Sequence, residues 1–90
     1  MVGKRVLIRT YSAGVHIGTL EHYDNMEAHL TDALRLWKWE GGGLSLSAVA
    51  NQGVKKARID RTVEVYLTNV IEIIPTTPGA EKTYARFIES

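Results

Sequence analysis

The stretch Arg9-Thr-Tyr-Ser-Ala-Gly-Val-His-Ile-Gly-Thr-Leu20, running on to Leu36, constrains the fold more than any other part of this chain. It reads as two β-strands joined by a short polar turn, with a second turn at Tyr23-Asp24-Asn25 leading into a third strand. Side chains alternate between the two faces of an extended chain. The first strand, Lys4 to Thr10, therefore puts Val6 and Ile8 on one face and Leu7 and Arg9 on the other. Tyr11 to Gly14 supplies the turn, since Gly14 accepts positive φ and Ser12 can bond neighbouring backbone groups. The chain returns over Val15 to Glu21, with Val15, Ile17 and Thr19 on one face and His16, Gly18 and Leu20 on the other. A glycine inside a strand marks a sharp bend or the close approach of another backbone or a ligand, and Gly18 is such a residue.

After the turn at His22 to Asn25, Met26 to Thr31 forms the third strand and Asp32-Ala33 breaks it. Leu34 to Trp39 alternates again, with Arg35, Trp37 and Trp39 sharing a face. Beyond Gly41 to Gly43, the segment Leu44 to Ala50 is read as a short helix closed by Gly53, with a strand as the alternative because Leu44, Leu46 and Ala48 alternate with serines. Val54 to Asp60 is basic and expected as a loop. Thr62–Leu67 and Val70–Ile74 are strands around Thr68-Asn69, paired as a hairpin or forming one bent strand. Thr77-Pro78 starts a final helix whose Ala80, Tyr84, Phe87 and Ile88 share a face. The expected fold is mainly β: one small domain, residues 1–90, built as a strongly bent antiparallel sheet or barrel of about five strands, with a short inserted helix and a C-terminal helix.

Ninety residues lie near the lower size for a self-sufficient core, so a homo-oligomer is expected. With 44% hydrophobic and 23% charged residues the chain has the composition of a folded protein. It contains no cysteine, which excludes disulfides and thiolate metal sites and fits a reducing, intracellular compartment. No apolar run approaches the roughly 18 residues that span a bilayer, and no membrane partner is expected. A net charge of +1 provides no general attraction to nucleic acid, so an anion site must be local.

Such a site can be assembled from the residues at hand. Arg9, Arg35 and the group Lys55, Lys56, Arg58 and Arg61 can neutralise phosphate, arginine through a two-pronged hydrogen bond. Tyr11, Trp37 and Trp39 offer faces for a base, each stack worth roughly 1–3 kcal/mol. Ser12, His16, Ser45, Ser47 and Asn51 add hydrogen bonds for orientation. Each also has an ordinary structural role open to it: the tryptophans as core or interface, the arginines as cross-strand ion pairs, the basic group as a solvated loop. His16, His22 and His29 fit no common zinc spacing. No nucleophile elbow, phosphate-binding glycine loop or catalytic Ser-x-x-Lys is present, so neither an enzyme nor a cofactor is expected.

Gly18-Thr-Leu-Glu-His-Tyr-Asp-Asn-Met-Glu-Ala-His-Leu-Thr-Asp-Ala33 resembles the first motif of the Sm-like proteins, the family that includes Hfq. Leu67-Thr-Asn-Val-Ile-Glu-Ile73 is similar to the second motif but lacks its Arg-Gly or Lys-His pair. That resemblance implies a strongly bent, five-stranded antiparallel barrel and RNA as a partner. Over the whole chain, the succession RTYSAGVHIGTL, DALRLWKWEGGGLSLSAVA and VIEIIP resembles a group of short phage and prophage proteins. Phage proteins of this size include sponges that sequester cyclic nucleotide immune signals, such as the anti-CBASS and Thoeris anti-defence proteins. The expectation is a non-catalytic sponge in the cytoplasm of an infected bacterium, with Arg9, Tyr11, Ser12, His16, Arg35, Trp37, Trp39 and Ser47 as ligand contacts. An RNA-binding Sm-like ring and a protein-binding phage inhibitor are the alternatives.

Overall fold

The computed structural model describes residues 2–11, 14–40 and 46–89. Five strands, β1 (Arg5–Thr10), β2 (Val15–Asp24), β3 (Glu27–Glu40), β4 (Lys56–Leu67) and β5 (Val70–Pro75), form an antiparallel sheet. Helix α1 (Leu46–Gln52) precedes β4 and helix α2 (Pro78–Ala85) follows β5. A two-residue strand, β6 (Ile88–Glu89), lies parallel to β4, and the order across the sheet is β5-β1-β2-β3-β4-β6. The expected mainly β architecture with two helices is therefore what the chain adopts.

The sheet must curl. Strands β4 and β5 stand at opposite ends of the five, yet only Thr68 and Asn69 separate them. Four spacings of about 4.8 Å would set them about 19 Å apart in a flat sheet, whereas three Cα steps reach at most about 11 Å. The sheet bends to bring these ends together without closing into a barrel: β4 and β5 share no ladder, and the Val70 N–H donates instead to Met26 O at 2.9 Å. Of the two arrangements expected of them, a hairpin or one bent strand, the hairpin does not form. Leu67 and Val70 are both buried inside the curl, and Asn69 turns the chain with φ 56°.

Bulges supply the bend. Opposite Gly18, β3 carries two residues, Asp32 and Ala33, because Ile17 pairs with Leu34 and Thr19 with Thr31. A side chain at Gly18 would meet Leu30 Cβ at 3.0 Å and the Thr31 carbonyl oxygen at 3.1 Å, so the close backbone approach expected there is real. Asp32 takes φ 47° and is held by Arg61 at 3.0 Å and by Arg5, whose Nη1 donates to the Asp32 carbonyl oxygen at 2.7 Å. Asp32-Ala33 therefore bends β3 rather than ending it. Nor is the basic run a loop: Lys56 to Asp60 forms the first half of β4, pairing with Glu40 to Arg35.

The two faces of the sheet build two cores. Leu7, Ile17, Leu34, Leu36 and Ile59 pack beneath the helices against Val49, Ala50, Ala80 and Tyr84. Val6, Ile8, Leu20, Leu30, Ala33, Leu67 and Val70 fill the inside of the curl. Each fully buried aliphatic side chain contributes roughly 1.5–3 kcal/mol. Local chemistry fixes the helices. The hydroxyl of Thr77 caps α2 by accepting from Ala80 N at 3.1 Å, and Gly53, at φ 84°, closes α1 through its N–H to Val49 O at 2.9 Å. The face expected for the last helix is shorter than read: Ala80 and Tyr84 are buried on α2, while Phe87 and Ile88 lie past its end.

Candidate functional site

The inside of the curl changes character at one end. In register across β1, β2, β3 and β4 lie Ile8, His16, Arg35 and Asp60, so one row of side chains passes from apolar to charged. A cavity of about 250 Å³ opens there, lined by His16, Arg35, Asp60, Arg61, Thr62, Glu64 and Val65.

His16 is 1% exposed, and its Nε2 accepts a hydrogen bond from Arg35 Nε at 3.2 Å. An acceptor Nε2 places the proton on Nδ1, which is buried and has no partner among the described residues. Burial, followed by the positive charge of Arg35, lowers the His16 pKa to about 4, so the ring is neutral near pH 7. Arg35 is half-buried, and its guanidinium carbon lies 5.1 Å from the centre of the Trp37 ring. Among the described residues no carboxylate pairs with it, although Asp60 is its neighbour in register. That carboxylate is taken by Trp37, whose indole Nε1 donates to Asp60 Oδ2. Arg61 is neutralised by Asp32, and Glu64 Oε2 lies 3.6 Å from His29 Nε2. Among the described residues Arg35 is thus a braced cation with its outer N–H groups unspent.

A second cavity, about 320 Å³, lies toward the β2–β3 turn and is lined by His22, Asp24, Glu27, Ala28, His29, Tyr66, Leu67 and Thr68. Here Asp24 and Glu27 face each other across the hairpin with no basic partner among the described residues, and His29 stacks on Tyr66 at 4.1 Å. Its carboxylates repel an anion, whereas the first cavity offers one an arginine unpaired among the described residues. Among the described residues no group of three or more histidine and acidic side chains is placed to hold a metal ion. No helix among them is long and apolar enough to cross a membrane.

Of the residues singled out in the sequence, His16, Arg35 and Trp37 come together. Ser12 lies outside the described residues, as does Ser45. Arg9 is exposed on the face of β1 that carries Leu7, opposite the cavity, and Tyr11, 80% exposed, lines neither cavity. Ser47 is exposed on α1, on the helix-covered side. Trp37 and Trp39 do not share a face: Leu36 pairs with Ile59 and Lys38 with Arg58, leaving Trp37 as the extra residue of a bulge. Beyond it the alternation is reset, and Trp39 packs with the core beneath the helices. Asp60, Thr62, Glu64 and Val65 were not anticipated, although the alternation from Lys56 to Leu67 was available to reveal them.

No curated protein matches this sequence. A family model described as a domain of unknown function does, over residues 3–84, and on that match the chain belongs to the DUF6948 family.

Proposed function

We propose that the chain is a non-catalytic nucleotide-binding protein that captures a small nucleotide, in the concrete case a cyclic di- or trinucleotide immune signal, as a phage-type anti-defence sponge in the cytoplasm of an infected bacterium. One observation carries this reading: Arg35, half-buried, stacked on Trp37 and braced by a neutral His16, has no carboxylate partner among the described residues and opens into a cavity. A cation removed from water without a counter-charge is costly, and an anionic ligand offsets that cost. Phosphate takes the outer N–H groups of Arg35, whose Nε is held by His16, and the exposed side of Trp37 receives a base. Sequestration needs tight binding and slow release and no chemistry on the ligand.

The test is native mass spectrometry of the purified protein with cyclic di- and trinucleotides, cyclic ADP-ribose isomers and a short oligo-uridine. A stoichiometric mass shift with one small nucleotide is the expected result. A homo-oligomer that takes up only oligo-uridine would instead support an Sm-like ring binding RNA. That second reading is favoured by the curled five-stranded sheet and by the outer edge of β4 from Arg61 to Leu67, which has no further strand beside it among the described residues and can accept another copy. Uptake of nothing would overturn both and leave a protein partner, for which Val63, 84% exposed, and Tyr66, 68% exposed, form the contact on β4.

A further inference from the structure

Arg35, the cation of the first cavity that no carboxylate pairs among the described residues, does not stand in a positive field. Asp60 lies opposite it in register and lines the same cavity, and the group bonded to that carboxylate, the Trp37 indole, is neutral and offsets none of its charge. Arg61 is matched by Asp32, and the Glu64 carboxylate is drawn away to His29 Nε2 at 3.6 Å. Arg35 and Asp60 therefore cancel before any ligand enters. An arginine has five N–H donors, and Arg35 spends its Nε–H on His16. What remains is the pair of Nη groups at its end, able to hold two oxygens of one ligand at once.

Resting on the nucleotide-capture reading, we propose that this cavity selects phosphodiesters over terminal phosphates, with Asp60 as the residue that turns away the second charge. A phosphodiester presents two non-bridging oxygens and one negative charge, which the two Nη groups match. A phosphate monoester carries a third free oxygen and close to two charges above its second pKa of about 6, and the carboxylate opposite Arg35 can only accept. The cost of taking a charge out of water grows with its square, whereas the attraction of one arginine grows only in proportion. In a site whose own charges cancel, the second charge is a net loss. The cavity, at about 250 Å³, is smaller than the roughly 300–1,000 Å³ of pockets that enclose a whole drug-sized ligand, so it takes a phosphate and what adjoins it. Cyclic oligonucleotides offer phosphodiesters alone, while free mononucleotides end in monoesters and leave such a site open.

Isothermal titration at about pH 8, where a monoester carries close to two charges, tests this on the wild-type protein and Asp60→Asn. The ligands are 3′,5′-cyclic AMP against AMP and 3′,5′-cyclic GMP against GMP, with cyclic di-AMP and cyclic di-GMP alongside for capture itself. Each pair holds base and sugar fixed and changes one ester bond. The cyclic member is expected to bind at least about tenfold tighter than its monoester. Asp60→Asn keeps an oxygen for the Trp37 indole and removes the charge. It is expected to tighten the monoester by about tenfold and the cyclic nucleotide by about threefold, because the repulsion scales with the charge of the ligand. No preference for the cyclic member in either pair, while a cyclic dinucleotide binds, overturns phosphodiester selection and leaves nucleotide capture standing. An equal change of both members in Asp60→Asn overturns the role of Asp60. Binding of none of these ligands by a protein with a normal melting curve overturns the capture reading, and this inference with it.

Discussion

The two sides of the sheet draw on alternate residues of the same strands and reach different ends. Beneath the helices, Leu7, Ile17, Leu34, Leu36 and Ile59 meet α1 and α2, and two buried hydroxyls there are matched, while Glu81 Oε2 is left without a partner among the described residues. The Tyr84 hydroxyl, buried with its pKa raised chiefly by that burial, donates to Val49 O, and Thr83 Oγ1 accepts from Val54 N at 2.9 Å. On the inner side the same strands bury Val6, Ile8, Leu20 and Leu30, then finish in an arginine without a counter-ion and a histidine whose Nδ1 has no partner among the described residues. A small domain has little stability to spare, so an arginine and a histidine left unmatched together among the described residues, where the helix side leaves a single carboxylate oxygen of Glu81 unmet, separate the candidate site from the scaffold.

That separation can be broken from either side. The largest effect is expected from Tyr84→Ala, which removes a fully buried ring and its hydrogen bond: a loss of about 3–5 kcal/mol in urea unfolding, with nucleotide affinity of the remaining folded protein unchanged. Acid comes next. His16 has a folded pKa of about 4 against 6.5 unfolded, so between these values the unfolded chain binds the proton and the folded chain does not. Its contribution, on the order of 3 kcal/mol, is complete above pH 6.5 and disappears as pH falls toward 4. The acid slope of melting temperature over that window should flatten in His16→Leu.

Arg35→Ala is expected to weaken nucleotide binding about 100-fold, roughly 2.7 kcal/mol, in a titration, while its melting temperature holds or rises because an uncompensated half-buried charge has gone. Gly18→Ala forces a Cβ to within 3.0 Å of Leu30 Cβ and 3.1 Å of a backbone oxygen, and should cost about 1–3 kcal/mol by chemical denaturation. Smallest is Trp37→Phe, which keeps a ring beside Arg35 but frees Asp60: less than about 1 kcal/mol in stability, with the base-stacking part of affinity retained.

Where local chemistry decides, the sequence was readable. Thr77-Pro78 announces the start of α2, Gly53 the end of α1, and Gly18 the point where a strand must bend. The first two strands and their faces follow from alternation alone. What escaped depends on pairing across the sheet. Asp32-Ala33 looks like a break because its alternation fails, and only the single residue Gly18 opposite shows it to be a bulge. Lys56 to Asp60 looks like a solvated loop until β3 is placed beside it. The same ignorance misplaced Trp39 and hid Glu64, and with them half of the candidate site. The destinations of β4 and β5, at opposite edges although two residues apart, are a property of the whole sheet and leave no mark on Thr68-Asn69.

The bulge at Trp37 has a bearing on how such a site changes over time. Pairing counts Leu36 against Ile59 and Lys38 against Arg58 and passes over Trp37 altogether. The residue proposed to offer its ring to a ligand is therefore supernumerary to the strand: it can be exchanged, or even deleted, without turning its neighbours to the opposite face. Selection can revise the ligand at that position while the cores on both sides of the sheet stay as they are.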